Sequence, residues 1–315
     1  MRTMALLDRI GYSTLKKQIL LLILLCLAGF LFSSYSIQLK TNNLAIYASE
    51  PLSQPLTEML WKLDDNIDAF QMEMGVYLDA LAPVYLIESN RSYQTLALGK
   101  TEIVEFSDAF YSGKEKSIYV KPLASIQENH RKVLMHEYIH WYLDNILTQT
   151  PLWFHEGMAS HYSQQMGFEQ YLYFLEQSFL GKVSDLYRLS YNYPKKKEDW
   201  PLFYLSSTMA VSYLQEKKNE QWNAFWELVA KEQRNNQQAP FIACFNYAYH
   251  TTLYDFHKEF AKYTSHLRYQ YLFWGINALL ALLLPVILII AWRIRKKRLA
   301  ALPDLPLPED DETEI

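Results

Sequence analysis

The sequence predicts an α+β domain, a small sheet followed by a mostly helical region, held between two transmembrane helices. Three observations predict it. Short β-type runs fall between residues 83 and 121 of the 315-residue chain. Helical apolar spacing dominates after residue 125. Two long apolar runs, residues 19–32 and 271–292, stand towards the two ends. Between them lie about 230 residues, enough for a proper core.

The elements follow in order. Residues 1–17 carry Arg2, Arg9, Lys16 and Lys17 and read as a cytoplasmic amino terminus. Residues 18–38 read as a transmembrane helix or as a signal peptide. The apolar core is short enough for the second reading, and Ser34-Tyr35-Ser36 supplies a small-x-small cleavage site. Cys26 is an apolar residue of that segment. Residues 42–55 read as a linker broken by Pro51 and Pro55. Residues 56–78 place Met59, Leu60, Leu63, Ile67, Phe70 and Met74 at spacings of three and four, an amphipathic helix. Residues 83–88, 103–106 and 117–121 read as short strands, with a turn at Ser112-Gly113-Lys114 and Pro122 closing the last. Ser125 and Glu128 form a capping-box pattern opening a helix to about residue 147. Pro151 ends the next loop, and a second helix begins near Trp153. Further helical patterns cover 168–180, 203–216, 221–231 and 253–267. Residues 195–199 form a charged solvated loop between Pro194 and Pro201.

Residues 270–292 form the second membrane helix, and Pro285 is tolerable there when neighbours pack against it. Arg293, Arg295, Lys296, Lys297 and Arg298 follow it. Basic flanks mark the cytoplasmic side. Both termini are then cytoplasmic, and residues 39–268 lie outside a cell membrane, a location that cleavage of the first segment would not change. Residues 293–315 make a cytoplasmic tail, Pro-rich and then acidic, that reads as disordered. The outer domain holds a single cysteine, Cys244, so it has no internal disulfide, which favours a bacterial source. The partners implied are a lipid bilayer and a peptide or protein substrate. The net charge of −4, with no basic excess outside the membrane, excludes nucleic acid.

The chemistry concentrates in His136-Glu137-Tyr138-Ile139-His140 and in Glu156, sixteen residues later. Histidines four apart on a helix face the same way. Two imidazoles on one face can grip one Zn²⁺, and Glu137 then stands beside any water that the metal holds. Glu156, on a second helix within reach of a short loop, is the third ligand. Three ligands with an open fourth position describe a catalytic zinc site rather than a structural one. H-E-x-x-H alone has three fixed positions and is a weak pattern; its helical context and Glu156 raise it. The plain alternative is a helix whose histidines happen to share a face, with Glu156 favouring the dipole of a first turn.

These residues resemble the gluzincin metallopeptidases. His136-Glu137-x-x-His140 followed by Trp153-x-x-Glu156-Gly157-x-Ala159 is similar to bacterial peptidase-MA-like domains, whose second signature reads W-x-x-E-G-x-A. The run from Tyr204 to Leu214 is similar to the helix that follows the site in that family. The resemblance covers residues 117–230. It implies a thermolysin-like catalytic domain and a zinc-dependent endopeptidase, with Glu137 as general base towards an activated water. Tyr204 is then the side-chain donor to the oxyanion, and the strand at 117–121 is the edge on which an extended substrate adds. Ser160 departs from the pattern: thermolysin-like enzymes place an aspartate there to orient a ligand histidine. That departure keeps a second reading in play, a catalytically silent binding or sensor module on the same scaffold. His155 adjoins Glu156 but is expected to point elsewhere. His130, His250, His257 and His266 lack ligand spacing. Gly157 is expected to let the two motif helices approach, with Trp153 and Ala159 as packing residues.

Overall fold

A computed structural model describes residues 35–97, 108–122 and 128–301. The first apolar run, the strand expected at 103–106, the Ser125–Glu128 capping pair and the tail beyond residue 301 lie outside the described residues.

The amino-terminal half is a mixed five-stranded sheet. Its strands are β1 (Ser36–Lys40), β2 (Leu44–Ala48), β3 (Ala82–Leu86), β4 (Ala109–Ser112) and β5 (Ser117–Val120), in the order β1-β2-β3-β5-β4. β2, β3 and β5 are parallel, and β1 and β4 pair antiparallel at the two edges. Helix α1 (Gln54–Met74) makes the crossover from β2 to β3. It buries the six apolar residues that its spacing predicts, Met59, Leu60, Leu63, Ile67, Phe70 and Met74. Gly75 ends it with φ +65°, a left-handed cap that suits glycine. Asp64, buried on α1, accepts hydrogen bonds from Thr41 Oγ1 (2.5 Å), Asn42 N (3.1 Å) and Asn43 N (3.0 Å), which fixes the β1–β2 turn on the helix. Helix α2 (Asn90–Ala97) follows β3.

Two sequence expectations change here. Residues 44–48 are a central strand rather than linker, because Leu44, Ile46 and Ala48 bury their side chains beside β3. Residues 36–38, expected to close the first membrane segment, pair with β2 as part of β1.

The second half is helical: α3 (Glu128–Ile146), α4 (Leu152–Tyr162), α5 (Phe168–Phe179), α6 (Trp200–Lys217), α7 (Asn219–Arg234), α8 (Phe241–Tyr249) and α9 (Leu253–Ala300). A two-strand parallel pair, β6 (Leu147–Thr148) with β7 (Ala239–Pro240), ties the end of α3 to the start of α8. α3 lies between the sheet and the helical layer, touching α1, β4 and β5 on one side and α4 on the other. α4 is buried along Trp153, Phe154, Glu156, Gly157, Met158, Ala159 and Ser160, and α6 is its main neighbour. A Cβ on Gly157 would meet Ser207 O at 2.4 Å. The close approach that this glycine permits is therefore to α6, not to α3.

α9 is one unbroken helix of 48 residues. Phe256 and Phe260 anchor its first turns in the core. The expected boundary near residue 269 is absent, because helical spacing continues straight into the apolar run. Among the described residues α9 is the one helix long and apolar enough to cross a membrane, with a mean hydropathy of 2.5 over its best window, none of which is buried.

Candidate metal centre

α3 and α4 build the centre. His136 and His140 stand one turn apart on α3, with Nε2 atoms 3.1 Å from each other. α4 brings Glu156 Oε2 to 3.4 Å from His136 Nε2 and 3.6 Å from His140 Nε2. A point equidistant from these three atoms lies about 2 Å from each, the length of a zinc–nitrogen or zinc–oxygen bond. Glu156 is 2% exposed, and its Oε2 and His136 Nδ1 are buried without a hydrogen-bond partner. A buried carboxylate oxygen left unsatisfied in front of two imidazoles is costly unless a cation completes it. These three residues could hold a metal ion, and the donor set of two nitrogens and one oxygen fits zinc.

Electrostatics point the same way. Burial alone would push the Glu156 carboxyl up, but His140 and His136 hold it well below the usual carboxylate range. Burial would likewise lower His140, yet the Glu156 carboxylate beside it pushes the imidazole up to about 9. The carboxylate thus draws positive charge from its neighbours, a role that a bound cation would take over. Glu137 behaves differently. Burial raises its pKa against the pull of His136 and His140. Its Oε2 accepts a hydrogen bond from Tyr111 N in β4 (2.8 Å), so the backbone of an edge strand holds it. A buried carboxylate with a raised pKa is suited to shuttling a proton.

All four residues line one cavity of about 740 Å³. Tyr204, on α6, lines it too, and burial raises its phenol pKa, followed by the charges of Glu156 and Glu137. Ser160 also reaches the wall. It gives His136 no hydrogen bond, consistent with the orphaned Nδ1.

The structure moves two expectations. The substrate edge strand at 117–121 is β5, which is flanked by β3 and β4; the outermost strand beside the site, among the described residues, is β4. The β4 run, Ala-Phe-Tyr-Ser, has no β-branched residue to mark it, unlike the equally short Ser-Ile-Tyr-Val of β5. His155 does not point away. Its ring lies 5.7 Å from that of His140, and its Nε2 is 3.6 Å from Asp144 Oδ1. α4 is held edge-on to α3, so two consecutive residues of α4 both face it. Burial, and then His140, lower the His155 imidazole to about 4.

Three residues at the site were missed. Tyr193 donates its hydroxyl hydrogen to Glu156 Oε1, leaving Oε2 towards the histidines. Tyr193 lies in an irregular segment that Leu152 N→Ser190 O (2.5 Å) and Trp200 Nε1→Pro194 O (2.8 Å) fasten to α4 and α6, and no local pattern marks it. Asp144 accepts from the Tyr111 hydroxyl (3.0 Å). Asp144 did carry a signal: it stands four residues after His140, on the ligand face of α3.

No family model matches the chain, and a comparison with curated proteins finds no match.

Proposed function

We propose that this chain is a membrane-anchored, zinc-dependent endopeptidase of gluzincin type, with a thermolysin-like domain outside the cell membrane of a bacterium. The convergence of His136 Nε2, His140 Nε2 and Glu156 Oε2 within 3.1 to 3.6 Å of one another, with Glu137 in the same cavity, carries the reading. A bound Zn²⁺ would polarise a scissile carbonyl and bring the pKa of a water to about 7. Glu137 accepts that water's proton and returns it to the leaving amine; burial raises its pKa, the direction that favours holding a proton. Tyr204, at the cavity wall, donates to the oxyanion. Tyr193 orients Glu156. β4, the outermost of the described strands at the cavity, is the element beside which an extended peptide would lie. Two-pass anchoring through α9 and the first apolar run, with both termini cytoplasmic, completes the proposal; the lipid bilayer and a surface polypeptide are its partners.

The unpartnered His136 Nδ1 favours a second reading, a silent binding module that holds metal without turnover. Cleavage of a peptide library by the zinc-loaded full chain separates the two. The peptidase reading expects turnover that Glu137→Gln lowers by at least about a hundredfold while zinc stays bound. Bound zinc with no Glu137-dependent turnover would instead establish the silent module.

A further inference from the structure

Helix α5 carries an apolar stripe that the other described residues do not cover. Phe174 and Ser178 face the core. On another side, Phe168, Leu172 and Phe179 are 75%, 47% and 56% exposed. At positions i, i+4 and i+11 they fall within about 40° of one another around the helix. Exposed aromatics in such a row mark a surface that meets something apolar.

The position of α5 says what that is. α5 runs antiparallel to α9, fixed at two points. Ser178 Oγ donates to Thr264 O (3.4 Å), and the hydroxyls of Tyr171 and Tyr271 are hydrogen-bonded. Seven residues back along α5 correspond to seven forward along α9. Continuing that register by one turn sets Phe168 level with Trp274, inside the uncharged run that begins at Tyr271. Tyr171, Tyr271 and Trp274 then form a short aromatic group within about one helical turn of depth, as aromatic side chains do where a membrane meets water.

We propose that the amino-terminal turns of α5, through Phe168 and Leu172, enter the interfacial layer of the bilayer that α9 crosses. The same turns line the metal cavity through Glu169, Gln170 and Tyr173, and the loop just before them through Gln165 and Met166. The cleft therefore opens at the bilayer surface, and its substrate is the juxtamembrane stretch of a membrane-tethered polypeptide. This deepens the peptidase reading and rests on it and on α9 spanning the membrane.

Two measurements test it on the full chain in phosphatidylethanolamine–phosphatidylglycerol vesicles. The first places an environment-sensitive fluorophore on single cysteines at Phe168→Cys, Leu172→Cys, Leu282→Cys and Met72→Cys, in a Cys26→Ser/Cys244→Ala background. Lipid carrying a quencher on the upper acyl chain should halve the emission at 168, 172 and 282 and leave 72 unchanged. Quenching at 282 with 168 and 172 behaving like 72 overturns the α5 contact while the span stands. No quenching at 282 removes both. A disulfide between cysteines at 168 and 25 would mean that the first apolar run covers the stripe, which also overturns the bilayer contact.

The second presents a cleavable sequence on a lipid anchor through a spacer of about five residues, reaching roughly 17 Å, or about thirty. A cleft at the surface cuts both at rates within about twofold, and Phe168→Glu/Leu172→Glu slows the short substrate at least tenfold while sparing a free peptide. Slow cutting of the short substrate by the unmodified enzyme overturns the surface cleft. No cutting of any substrate, free peptide included, is failure of the peptidase reading and takes the substrate class with it; the quenching result still decides the α5 contact.

Discussion

Tyr193 decides which oxygen of Glu156 faces the histidines. By donating to Oε1 it leaves Oε2 as the free ligand atom. Partners of this kind typically set metal affinity by about ten- to a hundredfold. Tyr193→Phe should weaken zinc binding by that factor in a chelator-competition titration, with the fold intact by circular dichroism; unchanged affinity would show that Glu156 needs no such partner. Gly157 sets a different limit. A methyl there would press on Ser207 O, which is backbone and has no rotamer to yield. Gly157→Ala should cost about 1–3 kcal/mol, read as a lower thermal midpoint. His136, Glu137, His140 and Glu156 were legible in the sequence because a helical repeat of four and a short loop place them together. Tyr193 was not, because its approach depends on long-range packing of an irregular segment. His136 Nδ1 is buried without a hydrogen-bond partner, and Ser160, at the cavity wall, does not supply one.

Strong periodicity marks α1, and the runs at 83–88 and 117–121 are the strands β3 and β5, whereas β1, β2 and β4 carry no such mark. α1 buries the face that its spacing marks. β1 and β2 fall in segments that read as a membrane end and a linker: β2 is buried on both faces and shows no alternation, and β1 is a five-residue edge strand with no buried residue to mark a face. β4 stayed unseen, and with it the edge that holds Glu137. α9 joins two elements that composition had separated. Its first turns carry His257, whose ring packs edge-on against Trp153 at 5.7 Å and whose Nε2 is buried without a partner. Burial lowers this imidazole to about 4, against a weak opposing pull from Asp185. The folded state therefore refuses a proton that the unfolded state takes up below its ordinary pKa of about 6.5. Stability from this group is complete above that value and is lost as pH falls from there towards 4. Between pH 7 and 4.5 the unmodified chain should lose on the order of 2 kcal/mol more than His257→Phe in urea unfolding. Parallel losses in the two proteins would remove His257 as a source of acid sensitivity.

Taken whole, the molecule places a sheet and a helical layer on either side of α3, and the cavity forms where the β4 edge, α3, α4 and α6 meet. α9 runs from the core of the helical layer into an apolar stretch without a break, so that a membrane crossed by α9 would hold the domain at a set orientation rather than on a tether. The proposed activity requires that His136, His140 and Glu156 hold a metal ion. Metal content by plasma emission spectrometry, on the full chain purified in detergent without chelator, tests it most directly. The account predicts one zinc per chain in the unmodified protein and in Glu137→Gln, and less than a tenth of that in His140→Ala. Equal metal in the unmodified protein and His140→Ala, or none in either after incubation with zinc, would contradict it.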